Sequence, residues 1–190
     1  MFETVRERRE QLAVKPKAFL FVGRLVKAKG VHVLLKGYAQ YRSSCAEPWP
    51  LICVGSGPLA REVAAAPGVV MPGFLQPEQL ADKMLEASVF VLPSLFEPWG
   101  VVVNEAASAG MPMIVSEAVG SHVHLVQSGF NGFVVEKGSP ESLANAMLRF
   151  HRMNDSSLVR MGKASEQLSE QYTPERWAST LRRIASDQNQ

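Results

Sequence analysis

Short apolar runs recur along this chain of 190 residues, separated by longer stretches with helical spacing. They fall at 18–22, 51–54, 68–71, 89–92, 113–115 and 132–135, and are rich in Val, Ile and Phe. A run that is apolar at successive positions suits a strand buried on both faces, the situation of a parallel sheet covered by helices. The intervening spacing predicts helices at 31–38, 58–65, 77–87, 101–109, 122–128 and 140–152. Two more fall between 156 and 186, interrupted at Thr173-Pro174. Strand alternating with helix predicts an α/β fold built on a doubly wound parallel sheet.

In such sheets ligands bind beyond the carboxyl ends of the strands. Two loops stand out there. The first run leads into Gly23-Arg24-Leu25-Val26-Lys27-Ala28-Lys29-Gly30 before helical spacing resumes at Val31. Arg24 and Lys29 therefore flank a strand-to-helix loop, where a guanidinium fork and an ammonium grip phosphate oxygens. The plainer alternative is two solvated charges. The second loop follows 89–92 and reads Ser94-Leu95-Phe96-Glu97-Pro98-Trp99-Gly100-Val101, running on to Glu105. Pro98 suits a first helical position, which puts Glu97 near the N-cap and the helix end at Gly110 and Pro112. Helix side chains tilt toward the N-terminus, so Glu105 leans back toward the same crevice. The free amides of Gly100 and Val101, with the helix dipole, favour an anion such as pyrophosphate. Alternatively, Glu97 only caps the helix and Glu105 is a solvated surface residue.

Composition excludes several other classes. The net charge of +2, from 20 basic and 18 acidic residues, is too balanced for nucleic-acid binding. Cys45 and Cys53 have neither the spacing of a zinc site nor the number of a disulfide scaffold, which makes a reducing cytoplasm the default. His122 and His124 lack a carboxylate set to complete a metal site and read as rim residues. No apolar run reaches membrane-spanning length, and the charged opening segment lacks the apolar centre of a secretion signal. The first loop offers Gly23 and then no glycine until Gly30, which is not the three-glycine dinucleotide fingerprint.

The chain resembles the retaining nucleotide-sugar glycosyltransferases of glycosyltransferase family 4, which have the two-domain GT-B architecture. The resemblance rests on ordered pieces that run nearly end to end. They are Val22-Gly23-Arg24-Leu25 with Lys29-Gly30; Val54-Gly55-Ser56-Gly57-Pro58; Gly73-Phe74-Leu75; Leu92-Pro93-Ser94 with Glu97 through Glu105; Ala109-Gly110-Met111-Pro112; and Gly129-Phe130-Asn131-Gly132. These cover the donor-binding, C-terminal half of such enzymes, a Rossmann-like domain. The resemblance implies an approach segment at 1–15, a nucleotide-sugar-binding domain at 16–190, and an N-terminal acceptor domain that is absent or a separate chain.

It also implies roles. Glu105 matches the carboxylate that accepts from the ribose diol, and Glu97 the carboxylate that faces the donor sugar. Arg24 and Lys29 match the pair that neutralises the departing diphosphate in place of a metal ion, so no metal or other cofactor is expected. Gly23 belongs to that loop, and the Gly100 and Val101 amides to the anion site. The backbone at Phe74 and Leu75 resembles the segment that meets the base, with 55–58 as a second wall. The implied enzyme is a cytoplasmic hexosyltransferase serving polysaccharide, lipopolysaccharide or glycolipid synthesis. Peripheral membrane association would come only through the absent domain, and this chain alone would bind the donor but transfer little. The alternatives are a non-catalytic nucleotide-sugar-binding subunit or regulatory module, and a GT-B epimerase or phosphorylase fragment. Two departures from the family pattern stand out. Gly120-Ser121-His122 replaces a Gly-Gly pair followed by an acid, and Trp99 replaces a smaller Phe, a packing variation in the favoured reading and a change in pocket width in the other.

Overall fold

The computed structural model describes residues 2–12 and 16–187. The expected boundary at 15 and both chain ends lie outside the described residues. The elements run α1 (Phe2–Gln11), β1 (Phe19–Val22), α2 (Val31–Ser43), β2 (Leu51–Val54), α3 (Ala60–Ala65), β3 (Val69–Gly73), α4 (Pro77–Leu85), β4 (Val89–Leu92), α5 (Val101–Ser108), β5 (Met113–Ser116), α6 (His122–Leu125), β6 (Gly132–Val135), α7 (Pro140–His151), α8 (Asp155–Ser169) and α9 (Pro174–Asp187).

The six strands form one sheet in the order β3-β2-β1-β4-β5-β6, every pairing parallel. This is the expected doubly wound sheet. The interior strands β2, β4 and β5 are buried at every position, as continuous apolar runs require. β3 behaves differently because it is an edge strand: its burial alternates, and Val70 is turned half out to solvent. Phe19, Phe21, Leu51, Phe90 and Leu92 are wholly buried on the central strands. The Cys53 thiol is free and lies in that core, where burial pushes its pKa up to about 12 and keeps it protonated.

Chain order reverses between β1 and β4. α2, which follows β1, packs on α7, whereas α5, which follows β4, packs with α1 and α8. The loops leaving β1 and β4 therefore part at the middle of the sheet's carboxyl edge, the place where such sheets open a crevice.

Several element ends differ from expectation. α5 starts at Val101 with Gly100 as its N-cap, so Pro98 lies in the preceding turn and Glu97 is not a cap. The cause is tertiary: the Glu97 N–H donates to Ala118 O and Gly120 N–H to Glu97 O, so this residue is held as an extra parallel bridge beside Val119. Gly100 then turns the chain into the helix at φ 87°, a conformation that costs glycine little. α6 stops at Leu125 because the Asn131 side chain takes the Gln127 N–H at 2.7 Å and ends the helical ladder.

Candidate functional site

The two charged loops are fastened to each other through main chain. The Ala28 carbonyl accepts from Leu95 N–H at 2.8 Å and from Phe96 N–H at 3.2 Å. Between them Gly30, at φ 70°, passes so close that a Cβ there would sit 1.8 Å from Pro93 O. Only glycine permits this approach, and it brings the end of the cationic loop against the start of the acidic one.

The result is an ion pair across the sheet's midline. Lys29 Nζ donates to Glu97 Oε2, with the two side chains only 20% and 12% exposed. Arg24 is exposed and pairs with no acid among the described residues. Glu105 is half-buried, and its carboxylate finds no hydrogen-bond or ion-pair partner among the described residues. Desolvation accordingly raises its pKa above the usual carboxylate value. Among the described residues the amides of Gly100 and Val101 donate to no backbone acceptor. One rim of the fold thus gathers a free guanidinium, a lysine held by an acid, an unpartnered carboxylate and open amides at a helix start.

The loops of the neighbouring strands join this rim. Leu25 N–H donates to Ser56 O at 2.8 Å and Gly55 N–H to Gly73 O at 2.8 Å, so Gly23, the 55–58 loop and the end of β3 form a continuous wall. Phe74 projects from that wall, 68% exposed, with Leu75 partly buried beside it. A different cavity, of about 50 Å³, opens at the amino end of the strands by Ser88 and Gly110. There Arg6 pairs with Glu166, and Arg9 donates to the Met84 and Ala87 carbonyls, so its chemistry is internal.

Residues 4–188 match the family model for glycosyl transferases group 1. The chain belongs to that family. It is 31% identical to a D-inositol 3-phosphate glycosyltransferase of Corynebacterium glutamicum over 196 residues, covering 96% of this chain and 46% of the relative. A D-inositol 3-phosphate glycosyltransferase of Streptomyces griseus is 36% identical over 163 residues, 77% of this chain and 34% of that one. The chain thus spans less than half the length of these curated relatives. Among solved structures, sucrose-phosphate synthase from Thermosynechococcus elongatus superposes with TM-score 0.77 at 27% identity, over 96% of this chain and 48% of that one. Anabaena HepE, solved in complex with UDP and glucose, has the same fold at TM-score 0.73 and 23% identity, over 93% of this chain and 51% of that one. The neighbours are GT-B glycosyltransferases, so the Rossmann-like GT-B fold read from the sequence is the one observed.

Within this glycosyltransferase fold, sequence reasoning missed two contacts. The first is the Lys29–Glu97 pair, whose members are far apart in sequence and were assigned separate duties. The second is an aromatic cluster in which Trp99 lies 5.8 Å from His124 and 6.2 Å from Tyr172 between ring centroids, with its Nε1–H donating to Asn104 Oδ1 at 2.9 Å. Trp99 is therefore a packing element that ties the start of α5 to α6 and the segment after α8. His124 is exposed, and His122 is partly buried with Nδ1 donating to Val119 O at 2.7 Å. Among the described residues no helix is long and apolar enough to cross a membrane.

Proposed function

We propose that this chain is the donor-binding, C-terminal half of a retaining family 4 glycosyltransferase. The observation that carries the proposal is the meeting of the Arg24–Lys29 loop with the Glu97–Glu105 segment at the sheet's reversal point. A nucleotide sugar needs cations for its diphosphate, an acceptor for its ribose diol and a polar partner for its sugar hydroxyls. Arg24 and Lys29 take the diphosphate, with the open amides at Gly100 and Val101 adding fixed partial charge. Glu105, without another partner among the described residues, accepts from both ribose hydroxyls. Glu97 orients the sugar and stabilises positive charge at the anomeric carbon as its bond to the phosphate oxygen breaks. The backbone at Phe74 and Leu75, opposite the 55–58 loop, borders the base.

The acceptor hydroxyl attacks from the face the diphosphate leaves, its proton passing to the departing phosphate oxygen. Two cationic side chains meet the leaving charge, so the reaction proceeds without a metal. The acceptor is supplied by an N-terminal half that closes over the donor, and transfer requires that half. The products belong to polysaccharide, lipopolysaccharide or glycolipid synthesis in the cytoplasm, with any membrane contact made through the acceptor half.

The test is calorimetric titration of this chain with UDP, GDP, ADP, CDP and dTDP in the presence of EDTA. At least one should bind, and Arg24→Ala should weaken it by about 1.5–3 kcal/mol, the size of a charge-assisted hydrogen bond. Failure of all five to bind, or an unchanged affinity in Arg24→Ala, rejects the reading.

A further inference from the structure

We infer that the Lys29–Glu97 ion pair is a partner-exchange device that makes the site prefer the intact nucleotide sugar over the nucleoside diphosphate it releases. The inference rests on the donor-site reading above and concerns how that site is regulated by its own ligands.

Lys29 is neutralised by Glu97, in a setting where both side chains are mostly buried. Glu97 is not able to follow Lys29 if that lysine turns away. Its N–H is bound to Ala118 O and its own carbonyl receives Gly120 N–H, so its main chain is held from both sides. Lys29, on a flexible four-carbon stem, is the mobile member. A diphosphate that recruits Lys29 therefore strands the Glu97 carboxylate: a partly buried charge loses its partner and gains two anionic neighbours. Bare nucleoside diphosphate has nothing to offer that carboxylate.

A nucleotide sugar does, since its hydroxyls donate to Glu97 while its diphosphate takes Lys29, so both members of the broken pair are satisfied together. Once the sugar has been transferred, the hydroxyls leave with it. Glu97 is then left facing the diphosphate, and recovery of Lys29 favours release of the product. The same pair thus opposes the product and admits the substrate, with no moving lid and no further ligand.

The experiment uses this chain, with whichever of the five nucleoside diphosphates binds most tightly and its glucose conjugate. Glu97→Gln removes the competing charge at nearly constant shape. The bare nucleoside diphosphate should then bind about tenfold more tightly, because Lys29 reaches it without first giving up a partly screened ion pair. The ratio of its affinity to that of the sugar conjugate should rise toward one or beyond. In a Lys29→Met background the gain from Glu97→Gln should shrink to about twofold or less, because no lysine remains to be released. Lys29→Met alone should cost nucleoside diphosphate binding less than Arg24→Ala does, since Lys29 only trades one anion for another. This last comparison stands even if Glu97→Gln folds poorly. Unchanged or weaker nucleoside diphosphate binding in folded Glu97→Gln, or a Lys29→Met loss equal to that of Arg24→Ala, overturns the exchange while leaving the donor site intact. If Arg24→Ala itself has no effect, the donor-site reading falls and the exchange with it.

Discussion

Gly30→Ala isolates what holds the cationic and acidic loops together. Gly30 sits at φ 70° and ψ 25°, where an alanine costs about 1–2 kcal/mol for its left-handed backbone alone. Its Cβ would also start 1.8 Å from Pro93 O and 2.7 Å from Pro93 C, both main-chain atoms without a rotamer to yield. Restoring van der Waals distance needs the two loops to part by more than an ångström. That separation breaks the bonds from Leu95 and Phe96 to Ala28 O, worth about 0.5–1.5 kcal/mol each. Together these come to a destabilisation of about 2–5 kcal/mol, to be read as a lowered urea midpoint with an unchanged slope. Nucleoside diphosphate binding should fall in the same variant, because Lys29 is carried away from the acidic segment. A loss below about 1 kcal/mol, the size of an average surface-to-core substitution, with binding intact would refute the claim that this approach fastens the site.

Three other perturbations have defined outcomes. Tyr41→Phe removes the hydroxyl that accepts the Trp49 main-chain N–H at 2.7 Å and shares a hydrogen bond with His151 Nδ1. Leaving that buried amide unpaired should cost about 1–3 kcal/mol in chemical denaturation, and a change within error would mean another acceptor replaces it. Glu105 has a folded pKa raised by desolvation, so ionising it works against folding, and its relative stabilisation is full below the unfolded pKa and lost as pH rises through the folded one. Glu105→Gln should therefore raise the melting temperature at pH 7 but not at pH 4, while weakening nucleotide binding; an equal shift at both pH values contradicts the desolvation. Trp99→Ala, which loses the bond to Asn104 and the contacts with His124 and Tyr172, should destabilise by about 1–3 kcal/mol in thermal or urea unfolding. No measurable change there would show that this cluster adds nothing to the fold.

The sheet was legible because continuous apolar runs such as 18–22 and 89–92 admit few environments, and the reversal point follows once both lead into charged loops. Where the prediction slipped, non-local contacts decided. Pro98 has the local preferences of a helix start, but the bridge between Glu97 and Val119 postpones the helix to Val101. In the same way Asn131, six residues beyond Leu125, shortens α6 through a side-chain bond that helical spacing does not encode. Arg24, Lys29, Glu97 and Glu105 stood out as candidates because residue type and loop position both marked them. That Lys29 and Glu97 hold each other was not legible, since it depends on the close crossing at Gly30 and on the bonds to Ala28.

That single carbonyl of Ala28, shared by two amides from a distant stretch of chain, makes the opposing charges part of one mechanical assembly. The separation of their main chains is set by peptide groups, whatever rotamer either side chain adopts. If the rim holds a nucleotide sugar as proposed, mutational drift around it can alter which sugar or base is welcomed without shifting the two loops against each other.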